Sequence, residues 1–124
     1  MPTGSLEAGV RFEFRENAAE EKSTFEIRRF AVLAVDMETE RVVDPIWTLR
    51  GSASVDEIEY RFAPDGLAEL NPAATLISGR IYYVMAEDWK RGGGGLGETF
   101  FAVTQSGTVR ACTGPDCAAI AAET

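Results

Sequence analysis

The stretch that decides the fold is residues 24–36, TFEIRRFAVLAVD. It begins with Phe25 and Ile27 in one phase of an alternating pattern, as in a half-buried strand. After Arg28 and Arg29 the apolar residues continue in the other phase, which predicts a β-bulge at the two arginines. Beyond the bulge both faces are apolar, so this strand is predicted to lie in the centre of its sheet.

The same period of two recurs along the chain between Gly, Pro, Asn and Asp residues. The segment 80–88 is again apolar on both faces, and Ser106 and Gly107 form a short turn typical of a hairpin. The predicted strands are 10–15, 24–36, 42–49, 54–62, 80–88, 98–105 and 108–112. We therefore predict an all-β fold, an antiparallel β-sandwich of immunoglobulin-like type with about seven strands, or alternatively a small closed β-barrel.

The aromatic residues follow this strand pattern, so core packing is expected for them. Trp47, at the centre of a strand, is expected to fill the space between two sheets. The phenylalanines expected in the core are Phe12, Phe14, Phe25, Phe30, Phe62, Phe100 and Phe101.

The length of 124 residues predicts one domain with a core of ordinary size. Residues 1–9, MPTGSLEAG, are small and polar and are expected to be a disordered leader segment. Residues 10–112 are predicted to form the sandwich domain, and residues 113–124 a C-terminal tail. No apolar run approaches the roughly 20 residues that span a bilayer, and the N-terminus shows no secretory signal pattern.

The two cysteines, Cys112 and Cys117, flank TGPD, which favours a tight turn that brings the sulfurs together. A disulfide would pin the tail and indicate an oxidising compartment, hence a periplasmic or secreted protein. Two reduced thiols in a cytosolic tail are the alternative. With no histidine and two cysteines, a structural zinc site is not expected.

The formal net charge of −8 disfavours nucleic acid and anionic membranes as partners. The same charge steers a basic protein or a cation towards the chain, or simply keeps a small domain soluble.

The segment WKRGGGGLGETFF at 89–101 contains Gly92, Gly94 and Gly97 at the G-x-G-x-x-G spacing. A dinucleotide site needs a helix after these glycines, whereas a strand pattern follows here. The segment is therefore interpreted as a hairpin loop without a cofactor. Trp89, Lys90 and Arg91 at its base are candidate partner-binding residues, because functional residues often sit on loops carried by rigid sheets.

Catalysis has weak support, because a chain without histidine lacks the commonest general base and metal ligand. A carboxylate pair, Glu57 with Glu59 or Glu87 with Asp88, is the remaining candidate for a hydrolase, and it requires two carboxyls that face each other across a cleft. Calcium bound by Glu87, Asp88 and Asp56 is a further alternative, although no D-x-D-x-D-G loop is present. We expect no catalytic, metal or cofactor site.

The string SGRIY, residues 78–82, resembles the S-G-x-x-Y motif of periplasmic inhibitors of c-type lysozymes, small β-barrel proteins that insert this segment into the lysozyme cleft. The resemblance implies that Ser78 and Tyr82 contact the enzyme, and an acidic chain suits a basic lysozyme. It covers five residues, and the neighbouring cysteines differ from those inhibitors, whose cysteines tie distant strands. The alternative interpretation is a turn at Ser78 that enters a strand.

These observations favour a non-catalytic binding domain of the bacterial-type envelope or secreted space, which contacts a protein partner through loops at one end of the sandwich. Those loops are Trp89 to Gly97 and Leu76 to Gly79. A lysozyme inhibitor and a carboxylate-dependent hydrolase are the two alternatives.

Overall fold

The computed structural model describes residues 2–14, 21, 23–39, 41–88 and 95–124. This part of the chain forms nine strands and one short helix. The strands are β1 (Pro2–Ser5), β2 (Gly9–Glu13), β3 (Phe25–Val35), β4 (Val42–Val55), β5 (Glu57–Glu59), β6 (Leu67–Asn71), β7 (Ile81–Asp88), β8 (Gly95–Val103) and β9 (Val109–Cys112), and the helix is α1 (Asp116–Ala121). The two strands beyond the predicted seven are β1 and β6.

The strands make two antiparallel sheets, one of six strands in the order β6-β4-β3-β7-β8-β9 and one of three in the order β1-β2-β5. The all-β sandwich prediction is confirmed, and the closed barrel is set aside. The two strands predicted to be central, β3 and β7, lie side by side in the middle of the larger sheet. The immunoglobulin-like arrangement stays a prediction.

The main core lies between the two sheets. Phe12 of the small sheet packs against Phe30 and Phe101 of the large sheet, with ring centroids 5.3 and 5.6 Å away. Trp47 is fully buried and contacts Phe30 and Tyr60, as expected of a residue that fills the space between sheets. These tilted and edge-to-face aromatic contacts connect both layers, so apolar burial here holds the sheets together.

The predicted bulge in β3 is present. Ile27 pairs with Asp88 of β7, whereas Arg29 pairs with Glu87, so Arg28 is an additional residue on β3. The extra residue changes the phase of the strand, and Phe30 and Val32 then point into the core as Ile27 does. The phase change read from the sequence therefore has the predicted structural cause.

Residues 2–5, which fall in the segment expected to be disordered, form β1 and pair with β2 from Pro2↔Phe12 to Ser5↔Gly9. The pairing depends on close backbone approach, because a Cβ at Gly4 would lie 2.1 Å from the carbonyl oxygen of Gly9. Small polar residues carry no alternation that would indicate a strand, and glycine is the residue that this contact needs.

Phe62 was expected in the core, but it is 64% exposed. The strand it was assigned to ends at Glu59, and the backbone turns at Arg61, which has a φ of 81°. Positive φ is uncommon for a residue with a side chain. The turn takes Phe62 out of the alternation that keeps Ile58 and Tyr60 buried.

The C-terminal tail packs on the outer face of the large sheet through α1. Cys112 at the end of β9 and Cys117 in α1 are disulfide-bonded. Together with Val35, Ile81 and Ala102 they form a second apolar cluster beneath the helix. The disulfide predicted from the TGPD segment thus holds the helix against the sheet.

Candidate functional site

The connection before β7, residues 72–80, is held by two tyrosine hydroxyls. The Tyr60 hydroxyl donates to the carbonyl oxygen of Ala74 at 2.5 Å, and the Tyr82 hydroxyl accepts from the backbone N–H of Ile77 at 2.8 Å. Both rings are buried, and Tyr82 stacks on Phe101 at a centroid distance of 5.4 Å. The segment therefore keeps a defined position although it contains no regular secondary structure.

Burial raises the pKa of Tyr60 above its ordinary value, and the nearby Tyr82 adds to this effect. Burial also raises the pKa of Tyr82, while the hydrogen bond from Ile77 and the charge of Arg80 partly offset it. Both hydroxyls are therefore neutral at physiological pH, the form in which Tyr60 can donate to Ala74.

The residues that match S-G-x-x-Y occupy this connection and the start of β7. Ser78 is half-buried in the turn, and Gly79 has a φ of 80°, a backbone conformation that favours glycine. Tyr82 is 4% exposed, so it does not offer the contact surface that the resemblance implied. Its hydroxyl positions the loop instead, and the side chain that the loop presents to solvent is Ile77, at 54% exposure.

Large exposed apolar side chains gather at the end of the sandwich where β7 begins. The β3–β4 turn lies at this end, because Ala34 pairs with Tyr82 and Val35 with Val42. The β1–β2 turn reaches it through the Leu6 N–H, which donates to the carbonyl oxygen of Gly107 at 2.8 Å. We call this surface the apolar end and define it by the exposed residues Leu6, Met37, Val42, Val43 and Ile77.

The two loops predicted to form one contact surface are connected to opposite ends of β7. Residues 76–79 precede Ile81, and the glycine-rich segment follows Asp88. The eight residues of β7 place these two points of connection roughly 24 Å apart. One shared contact surface stays a prediction, because residues 89–94 lie outside the described part of the chain. Trp89, Lys90 and Arg91 lie outside the described residues.

A groove at the opposite end of the outer sheet face is lined by three arginines, which sequence reasoning missed as a site. Its cavity is about 340 Å³, and the lining residues are Arg28, Arg29, Arg50, Gly51 and Glu87. Arg29 and Arg50 are direct cross-strand partners on β3 and β4. The adjacent arginines in TFEIRRF were the available signal, but the strand register is needed to bring in Arg50.

An apolar cleft of about 220 Å³ lies between α1 and the β3–β4 turn on the outer sheet face. Val35, Ile81 and Phe100 form part of its floor, and Met37 and Cys117 line it from the turn and the helix. The cleft borders the apolar end at Met37, so it extends the apolar surface of that end.

The carboxylates considered for catalysis lie on both sheets, and the side chain of Asp88 is outside the described part of the structure. Glu57 and Glu59 are on β5 of the small sheet, whereas Glu87 is on β7 of the large sheet. The Oε2 atom of Glu87 lies 3.9 Å from the Nη1 atom of Arg29. One carboxylate residue, Glu87, lines the groove between the arginines, and one, Asp36, lines the apolar cleft. Among the residues that the structure describes, no group of three or more His, Cys, Asp and Glu side chains is arranged to hold a metal ion.

Within the described ranges, no helix is both long and apolar enough to cross a membrane. Comparisons with protein-family models, with curated proteins and with solved structures gave no match for this chain.

Proposed function

We propose that this chain is a non-catalytic binding domain of the periplasm or the secreted space that contacts a protein partner through the apolar end. The observation that supports the proposal most is the distribution of exposed apolar residues. Of the seven large apolar side chains that are exposed in the described residues, five define the apolar end. Apolar groups gathered on one surface of a small domain are typical of a protein interface.

The scaffold beneath the apolar end suits binding. The loop that carries Ile77 is fixed at both sides by Tyr60 and Tyr82, so little conformational entropy is lost when a partner docks on it. The neighbouring cleft offers a concave apolar site for a side chain of the partner, next to the exposed Met37. Exposed apolar side chains beside a cleft suit an anchor residue of the partner.

The compartment is proposed from the disulfide. Cys112 and Cys117 are bonded, and structural disulfides persist in oxidising environments. The net charge of −8 then favours a basic partner by electrostatic steering.

Capture from the envelope fraction of the source organism tests the proposal. Immobilised wild-type protein is expected to retain a specific partner, and Ile77→Asp and Val43→Asp are each expected to abolish its retention, because each buries a charge in the interface. The matched control is Leu70→Asp, since Leu70 is 60% exposed but lies on β6, away from the apolar end. Equal retention by all four proteins would contradict the proposal.

Inhibition of a c-type lysozyme is a second candidate function, favoured by the position of the SGRIY turn. Ser78 lies in the fixed loop at the apolar end, beside the exposed Ile77. In this arrangement Ser78 contacts the enzyme and Tyr82 holds the loop.

A lysozyme assay tests this second candidate. Wild-type protein at micromolar concentration is expected to slow cell-wall hydrolysis, Ser78→Ala to remove the effect, and Tyr82→Phe to weaken it. Full lysozyme activity in the presence of the wild-type protein excludes this candidate and leaves the first one standing.

A further inference from the structure

We propose that the apolar cleft between α1 and the β3–β4 turn binds a lysine side chain of the partner protein. The inference rests on the function proposed above, because the lysine belongs to the protein that docks on the apolar end. The cleft combines an apolar floor, a size that fits one side chain and a carboxylate residue in its wall. A side chain with an apolar stem and a positively charged head requires these features.

The floor of the cleft is formed by three neighbouring strands of the large sheet. Val35 ends β3, Ile81 begins β7 and Phe100 lies on β8, and all three residues line the cleft. The helix α1 forms one wall, and its Cys117 is bonded to Cys112 of β9. The disulfide fixes this wall before a ligand arrives, so little conformational entropy is lost on binding.

The volume of the cleft suits one side chain. It is about 220 Å³, smaller than the roughly 300–1,000 Å³ of pockets that enclose a drug-sized molecule. Lysine buries its methylene stem along apolar surface and keeps its ammonium group in contact with water. The cleft offers both environments, because its apolar floor continues to the exposed Met37 at the rim.

Asp36 supplies a negative charge at the cleft. It directly follows β3 and lines the cleft from the β3–β4 turn. Its Oδ1 atom accepts from the N–H groups of Glu38 and Thr39, at 2.8 and 3.2 Å, so the turn holds the carboxylate in place. Among the described residues, the Oδ2 atom of Asp36 accepts no hydrogen bond and the carboxylate forms no ion pair.

This arrangement favours lysine over arginine. Arginine binds a carboxylate best through a planar fork that uses both oxygens. The turn already occupies Oδ1 of Asp36, and the compact ammonium group of lysine needs only the other oxygen. The net charge of −8 attracts a basic partner as a whole, whereas Asp36 determines where one cation of that partner binds.

NMR titration of the isotope-labelled protein with n-butylamine tests the proposal, because n-butylamine is the lysine side chain without its backbone. At neutral pH and constant ionic strength, saturable shifts are expected at the amides of Val35, Met37 and Cys117, with a dissociation constant on the order of 10 mM. n-Butanol has the same stem without the charge and is expected to bind roughly threefold to tenfold more weakly. No saturable shift at the cleft, or equal binding of n-butanol, would overturn the proposal.

A pair of charge variants tests the role of Asp36. Asp36→Asn keeps the oxygen that holds the turn and removes the charge, so it is expected to weaken n-butylamine binding by roughly threefold to tenfold and to leave n-butanol binding unchanged. Glu38→Gln is the matched control, since Glu38 is exposed in the same turn but does not line the cleft. Equal effects of the two variants would contradict the assignment of the cation to Asp36.

A pair of helix variants tests whether the stem lies in the cleft. Ala118→Leu narrows the cleft from α1 and is expected to weaken the binding of n-butylamine and n-butanol, whereas Ala119→Leu changes the next exposed residue, which does not line the cleft. Unchanged binding to Ala118→Leu would place the ligand elsewhere and contradict the proposal. Tighter binding of n-propylguanidine than of n-butylamine would assign the cleft to arginine, and the proposal of lysine would be wrong.

Capture from the envelope fraction separates this inference from the function on which it rests. Retention of the partner is expected to be weaker with immobilised Asp36→Asn than with Glu38→Gln. If wild-type protein retains a partner and Asp36→Asn retains it equally, the inference fails while the proposed function stands. If n-butylamine binds in the cleft but wild-type protein retains no partner, the chemistry of the cleft is supported and the proposed function fails.

Discussion

Replacing Tyr82 with phenylalanine tests whether a buried hydroxyl holds the loop at the apolar end. The substitution removes one oxygen and keeps the ring that stacks on Phe101. It leaves the partly buried N–H of Ile77 without the acceptor that now lies 2.8 Å away. The cost of an unsatisfied donor in such a position is about 1–3 kcal/mol, while the apolar packing of the ring is retained.

We therefore expect Tyr82→Phe to lower the free energy of unfolding by about 1–3 kcal/mol in a urea titration followed by circular dichroism. Hydrogen exchange at the Ile77 amide should become faster, because the loop opens locally more often. Tyr83→Phe is the matched control, since Tyr83 is the next residue of β7 and its hydroxyl bonds to the exposed Glu98. We expect that variant to stay within about 0.5 kcal/mol of wild type.

If Tyr82→Phe unfolds at the same urea concentration as wild type and the Ile77 amide keeps its protection, the hydroxyl does not hold the loop. Tyr82 would then contribute only through the packing of its ring in the core. The position of Ile77 would have to be fixed by other contacts.

Three more predictions concern the backbone, the disulfide and the buried hydroxyls. At Arg61, where φ is 81°, Arg61→Gly should be more stable than Arg61→Ala by about 1 kcal/mol in urea titrations; equal stabilities would argue against strain. Native protein should show no titratable thiol, and reduction of Cys112–Cys117 should cost about 2 kcal/mol of stability without loss of strand signal. Because burial raises the pKa of Tyr60 and Tyr82, the folded chain keeps protons that the unfolded chain releases above about pH 10. Stability should therefore fall as the pH rises above 10, and the fall should be shallower in the Tyr60→Phe/Tyr82→Phe double variant; an unchanged slope would contradict the assignment.

Features that depend on neighbouring residues in the chain were predictable from the sequence. The phase change at Arg28 and Arg29 predicted the bulge, because side chains of a strand alternate strictly between its two faces. Apolar residues on both faces predicted that β3 and β7 are central, since only a strand covered on both sides needs them. The position of Trp47 between the sheets followed from the same alternation.

Features that depend on contacts between distant residues were not predictable in this way. β1 pairs through a backbone approach at Gly4 that leaves no apolar pattern. Phe62 lies outside the core because Arg61 adopts a positive φ, and an arginine at this position gives no sign of that conformation in the sequence. Alternation shows which face a side chain takes, but only the strand order and register show which side chains share an end of the sheet.

The candidate site was likewise predictable only where it depends on residues that are neighbours in the chain. The SGRIY string lies next to the exposed Ile77, but Tyr82, which was expected to contact a partner, is buried and bonds to the backbone of the loop. The groove formed by Arg28, Arg29 and Arg50 needed the pairing of β3 with β4 before its charges could be counted together.

Site-specific photo-crosslinking in the native organism tests whether the apolar end is the binding surface. A photoreactive residue is placed at Ile77 or Val43, which are 54% and 47% exposed, and in parallel at Leu70, which is 60% exposed on the edge strand β6. We predict that the positions at the apolar end give one common crosslinked product and that Leu70 does not give it. Products formed equally at all three positions, or formed only at Leu70, would contradict the proposal that this end binds the partner.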